Sequence, residues 1–111
     1  MTIYIDQFLP GVGGDKWAGG GHLLTSDLDE LHEFAQKIGL KREWFQDTTF
    51  PHYDLTFRKR EQAIRHGAVR IGMGEFPDDL LVKNSENKYE RYDTRRKGLI
   101  ERAGRIPRKE P

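Results

Sequence analysis

The stretch that decides the fold is Ser26-Asp27-Leu28-Asp29-Glu30-Leu31-His32-Glu33-Phe34-Ala35-Gln36-Lys37-Ile38-Gly39. Leu28, Leu31, Ala35 and Ile38 recur at spacings of three and four, so residues 27–38 read as an amphipathic helix. Ser26 suits the capping position, where its hydroxyl accepts from free amides of the first turn. Asp27, Asp29 and Glu30 place negative charge where the helix dipole favours it. Gly39 supplies the left-handed residue that ends such a helix. His32, four residues after Leu28, borders the apolar stripe.

Toward the N-terminus, His22–Leu24 is a short apolar stretch that reads as a strand, and Thr2–Asp6 alternates polar with β-branched and aromatic residues as a second strand does. Between them, Pro10–Gly21 carries six of the twelve glycines and reads as a flexible loop. Its Gly11-Val12-Gly13-Gly14 run is not a dinucleotide fingerprint, because Lys16 stands where glycine is required, and no Gly-Lys-Ser/Thr follows.

Toward the C-terminus, Trp44-Phe45-Gln46 reads as a short helical turn ended by Pro51, and His52–Leu55 as an extended segment. Thr56 caps a second predicted helix over 57–66, with Phe57, Ala63 and Ile64 facing inward and Gly67 closing it. Ala68–Met73 reads as a strand, and Glu75–Val82 adds a turn of helix. Beyond it the chain is polar and basic; Tyr89–Arg102 becomes helical only on a surface. Strands alternating with helices give an α/β class: a single small domain with a short parallel or mixed sheet, two main helices and a basic C-terminal tail. The expected division is an α/β domain over 1–82 and a weakly folded tail over 83–111.

Composition narrows the function. Of 111 residues, 33% are charged and 35% hydrophobic, a thin apolar supply for which added burial in a homo-oligomer is unsurprising. The absence of cysteine excludes disulfides and thiolate zinc sites. No apolar run approaches the roughly 18 residues of a membrane span, and the start lacks a signal-peptide pattern, so the expected location is the cytoplasm, with no membrane partner. Charge is divided unevenly: residues 1–82 hold 9 Lys/Arg against 13 Asp/Glu, and residues 83–111 hold 10 against 5. The basic end, with Arg95, Arg96, Lys97, Arg105 and Arg108, either seeks a nucleic acid or an acidic host protein, or folds loosely onto the acidic domain.

His22-Leu23, Glu30-Leu31-His32-Glu33-Phe34-Ala35, Gly39-Leu40, Trp44-Phe45-Gln46, His52-Tyr53-Asp54 and Gly67-Ala68-Val69 occur in order. Together with Tyr4-Ile5-Asp6 they resemble a small phage and actinobacterial family, domain-of-unknown-function family 4031, over about residues 3–73. The resemblance implies a phage or bacterial origin, hence a host-cell cytoplasm, and brings no activity with it. Gly20-Gly21 departs from the pattern, since relatives carry Trp-Ser or similar before the first histidine.

The chemistry-bearing residues are Asp6, His22, His32, His52 and Asp54. His52 and Asp54 share a face of an extended segment, and Asp6 ends the first strand, where loops build sites. His22, His32 and His52 with one or two carboxylates suit a divalent metal such as Zn, Mn, Fe or Ni. Without a metal, His52 is a general base oriented by Asp54 or Asp6. The structural alternatives are plain: His32 as a satisfied core residue, Asp54 as a cap of the second helix, His66 as a cation at a helix end, Trp44 and Phe45 as core rings, and Arg58-Lys59-Arg60 as a solvated face.

Two functions follow. In one, the pocket binds a nucleotide, phosphate-bearing ligand or host macromolecule without turnover, through His22, His32, Trp44, Arg58 and Arg60. In the other, His52, Asp54 and Asp6 act catalytically, with metal on the histidines, to hydrolyse a nucleotide or other phosphoester. There Arg58, Lys59 and Arg60 at the second helix N-terminus hold the phosphate.

Overall fold

The computed structural model describes residues 2–8, 17–72 and 74–96. The helix that anchors the sequence reading forms as α1 (Leu28–Lys37), capped by Asp27, whose side chain accepts from the Glu30 amide at 3.0 Å. Ser26 does not take the expected capping role. It belongs to the sheet instead, since the Thr2 amide donates to its hydroxyl at 3.0 Å and fastens the start of the first strand.

Four strands form one mixed sheet in the order β3 (Tyr53–Leu55), β2 (Gly21–Thr25), β1 (Ile3–Ile5) and β4 (Val69–Arg70). β2 runs antiparallel to both neighbours, and β1 runs parallel to β4. Alternation along the strands divides the faces. Ile3, Ile5, Leu23, Tyr53 and Leu55 lie on one face, packed with Leu31, Ala35 and Ile38 of the first helix region and Ala63 of α2 (Phe57–Arg65). Tyr4, His22, Leu24 and Asp54 point to the other face, away from α1 and α2, where the Tyr4 hydroxyl donates to Asp79. The site forms on this second face.

α2 starts at Thr56, whose hydroxyl accepts from the Lys59 amide, as the sequence indicates. Its inward face differs from expectation. Phe57 is 50% exposed, whereas Arg60 is buried at 8%. The reason is a partner for the guanidinium: Arg60 Nε donates to the Asp6 carbonyl at 2.8 Å, so the charged end is satisfied while its stem packs.

Glu75–Val82 does not form the expected helical turn. After turns at 78–79, the chain enters β5 (Leu81–Lys83), which pairs antiparallel with β6 (Tyr89–Arg91). Leu80 and Val82 are fully buried, and β-branched Val82 suits a strand better than a helix. The boundary drawn between residues 82 and 83 thus passes through β5. Residues 83–96 pair and fold back, with the Tyr92 amide donating to the Leu80 carbonyl at 2.7 Å. Residues 97–111 lie outside the described residues, as does most of the glycine-rich loop. No helix of the described residues is long and apolar enough to cross a membrane.

Candidate metal centre

The register of β2 on β3 sets His22 directly opposite Asp54. His52 lies two residues before Asp54, and its backbone exchanges two hydrogen bonds with Gln46, at 2.9 and 3.1 Å, so the entry to β3 is fixed. As a result, His22 Nε2 stands 3.7 Å from Asp54 Oδ1, and His52 Nε2 stands 3.4 Å from the same oxygen. One ligand atom from each of the three residues lies within 4.8 Å of the others. The two imidazole rings meet edge to face, with centroids 5.0 Å apart.

Each group is held from behind. His22 Nδ1 faces both Asp6 carboxylate oxygens, at 3.0 and 3.1 Å, and the His22 amide donates to Asp6 Oδ1 at 2.7 Å. His52 Nδ1 faces the Phe50 carbonyl at 2.6 Å. A carbonyl only accepts, so a neutral His52 carries its proton on Nδ1 and presents a lone pair at Nε2. The Gln46 side-chain amide donates to Asp54 Oδ2, leaving Oδ1 toward the histidines. With both imidazoles neutral and their protons on Nδ1, three acceptor atoms converge. Separations of 3.4 and 3.7 Å exceed the hydrogen-bond range of roughly 2.7–3.2 Å. They approach the edge of about 3.3 Å for a tetrahedron of ligands around zinc.

Charge follows the same pattern. The hydrogen bond to Asp6 raises the pKa of His22 above its ordinary value, against a burial that lowers it. Burial pulls the Asp6 carboxyl upward, but the His22 side-chain and backbone bonds with the nearby imidazole charges outweigh it, and its pKa lies below the usual carboxylate value. Asp6 thus stays anionic behind His22, the arrangement that orients a metal-binding imidazole and increases its basicity. The three converging side chains are 37% (His22), 13% (His52) and 34% (Asp54) exposed, so the centre is open to solvent on one side. Asp6, His22, Leu24, Phe50, His52 and Phe76 line a cavity of about 260 Å³ there.

A family model described as a protein of unknown function, DUF4031, matches residues 3–82. The chain belongs to the DUF4031 family. No curated protein and no solved structure matches it.

The DUF4031 match contains all of the gathered residues, from Asp6 to Phe76. Of the three histidines expected on a metal, the fold brings two together and separates the third. His32 lies on the helix-covered face, its Nδ1 2.9 Å from the Tyr53 hydroxyl and its ring against Phe45. Tyr53 points opposite to its neighbour Asp54, so the sheet stands between His32 and the other two. Burial, then the Arg42 charge, lowers the His32 pKa. It borders a separate hollow of about 500 Å³ with Glu33, Gln36, Leu40, Arg42 and Tyr53.

The basic trio of this DUF4031 chain does not line the centre either. Lys59 Nζ donates to the Ile38 carbonyl at the end of α1, Arg60 secures Asp6, and Arg58 faces another hollow with Thr56 and Arg65. Trp44 is 48% exposed beneath the Lys41 ammonium, whereas Phe45 packs on Tyr53. Asp54 caps no helix, because Thr56 does, and His66 Nδ1 faces the Gln62 carbonyl at the end of α2. In the basic end, Arg95 donates to the Lys83 carbonyl and Arg96 pairs with Asp93 and Asp78. Lys97, Arg105 and Arg108 lie outside the described residues. Sequence reasoning missed Gln46, Phe50 and Phe76. Gln46 was visible only as the last residue of an aromatic turn, and Phe76 is far from the others in the chain.

Proposed function

We propose that this DUF4031 protein holds one divalent transition-metal ion on His22 Nε2, His52 Nε2 and Asp54 Oδ1, and uses it to hydrolyse a small phosphoester or related ester. The observation that supports this reading is that three acceptor atoms converge while the remaining polar atom of each side chain is engaged elsewhere, by Asp6, Phe50 and Gln46. Two imidazoles and a carboxylate suit Zn, Fe, Ni or Mn, and three protein ligands with an open side are the pattern of catalytic rather than structural sites. Held by His22, His52 and Asp54, such an ion would supply a bound water with its pKa lowered toward neutrality. Hydrolysis then adds one water: its oxygen bonds to phosphorus, the bond to the leaving oxygen breaks with its electron pair, and that oxygen takes up a proton. Asp6 orients His22, and Arg60 holds the Asp6 backbone; neither touches the reacting atoms in this reading.

Elemental analysis of the purified protein, together with turnover of bis(p-nitrophenyl) phosphate as a diester probe, tests it. The expected result is about one equivalent of metal, with His52→Ala and Asp54→Asn losing metal and at least a hundredfold of the turnover. A folded wild-type protein that takes up none of the four metals overturns the reading, and binding of a nucleotide without turnover then takes its place.

A further inference from the structure

The walls around the centre carry a second message, which rests on the metal reading above. Phe50 and Phe76 stack at 5.1 Å with an interplanar angle of 19°, and Phe76 meets Tyr92 at 5.1 Å. Phe50 and Phe76 line the cavity with His22 and His52, Tyr92 packs on Phe76 behind them, and Phe76 is 42% exposed although it stands in the cavity wall. Leu24, buried at 6%, closes the wall on the side of the sheet. Phe8 packs edge-on against the His22 ring at 4.7 Å.

Charge points the same way. With both imidazoles on the ion and so uncharged, Asp6 and Asp54 supply two negative charges, and a divalent ion brings the centre to zero. No lysine or arginine is among the described residues that line the cavity, and the Arg60 guanidinium behind Asp6 is engaged by the Asp6 carbonyl. Among the described residues that line the cavity, a phosphate dianion meets no cation beyond the ion itself. A flat aromatic ring, in contrast, extends the Phe50–Phe76 row and keeps apolar wall from water. The cavity of about 260 Å³ is just below the roughly 300 Å³ at which drug-sized sites begin, so the ligand is small.

We infer that the substrate carries an aromatic ring, packed on Phe76 and Phe50, next to a hydrolysable head group bearing at most one negative charge. Phe76 is then a specificity residue and not a metal ligand.

Three probes test this on the cobalt-loaded protein: benzohydroxamate, acetohydroxamate, which has the same chelating head without the ring, and inorganic phosphate. Binding is followed through the visible absorption of the cobalt. The expected result is benzohydroxamate at least tenfold tighter than acetohydroxamate, and phosphate weaker than benzohydroxamate. Phe76→Ala is expected to keep one equivalent of cobalt and to lose the tenfold preference. Equal affinities for the two hydroxamates in the wild-type protein overturn the aromatic assignment, and so does a preference that survives in Phe76→Ala. Phosphate binding tighter than benzohydroxamate overturns the charge limit. Failure of the protein to take up cobalt, zinc, iron, nickel or manganese is a different result, which overturns the metal reading and this inference with it.

Discussion

At the scale of single residues, the centre depends on what stands behind its ligand atoms. Asp6 touches His22 through two nitrogens, the amide and Nδ1. Asp6→Asn keeps the shape and removes the charge, so metal affinity is expected to fall about 10- to 100-fold, by competition with a chelator, while His52→Ala abolishes binding. Protons compete for the same atoms: the raised pKa of His22 means that metal affinity weakens as pH falls through it. His32 titrates in the opposite sense. Burial and Arg42 lower its pKa, so the unfolded chain binds that proton more tightly than the folded one. Its contribution to stability is present above the unfolded value of about 6.5 and is lost as pH falls through the folded value. In the metal-free protein the raised pKa of His22 works the other way, so the variants are compared: in urea unfolding between pH 7.5 and 5, His32→Gln is expected to lose less stability than the wild type as pH falls. A slope unchanged in that variant would remove His32 as its source.

At the scale of elements, the approach of β1, β2 and β3 is what sets the ligand distances. Gly20 and Gly21 enter β2 so closely that a Cβ on Gly20 would collide with the Leu55 carbonyl, and one on Gly21 with the Asp6 carbonyl. Gly21→Ala is expected to cost about 2 kcal/mol or more in urea unfolding, because the collision is with backbone and not with a flexible side-chain end. The same change moves Asp6 off His22, so metal affinity falls as well. A stable variant with intact metal binding would show that the strands separate more easily than this packing implies.

For the whole molecule, the C-terminal segment is part of the fold as far as residue 96. Leu80 and Val82 are fully buried, Tyr4 bonds to Asp79, and Lys83 and Tyr89 both bind Asp47. Deleting residues 84–111 removes β6 and Tyr92 and is expected to destabilise the protein by about 2 kcal/mol or more, read as a lower urea midpoint. Removing only residues 97–111, which carry five Lys/Arg against two Asp/Glu, tests the proposed polyanion partner. Oligonucleotide affinity is expected to fall and its dependence on log salt to flatten. An unchanged slope ends that proposal.

The sequence by itself determined the two helices, the Thr56 cap, the strands β1 to β3 and the shared face of His52 and Asp54. All of these follow from local periodicity and from the geometry of neighbouring residues. It also assigned the chain to its family. Only the tertiary structure decided which histidines meet. His22 is paired with Asp54 across 32 positions by strand register, and His32 is turned away because α1 covers the opposite face of the sheet. Burial of Arg60, exposure of Phe57 and the arrival of Phe76 beside Phe50 were decided there too. Side-chain period names the faces an element has; which face looks at which partner depends on contacts between residues distant in the chain, and no local pattern records them.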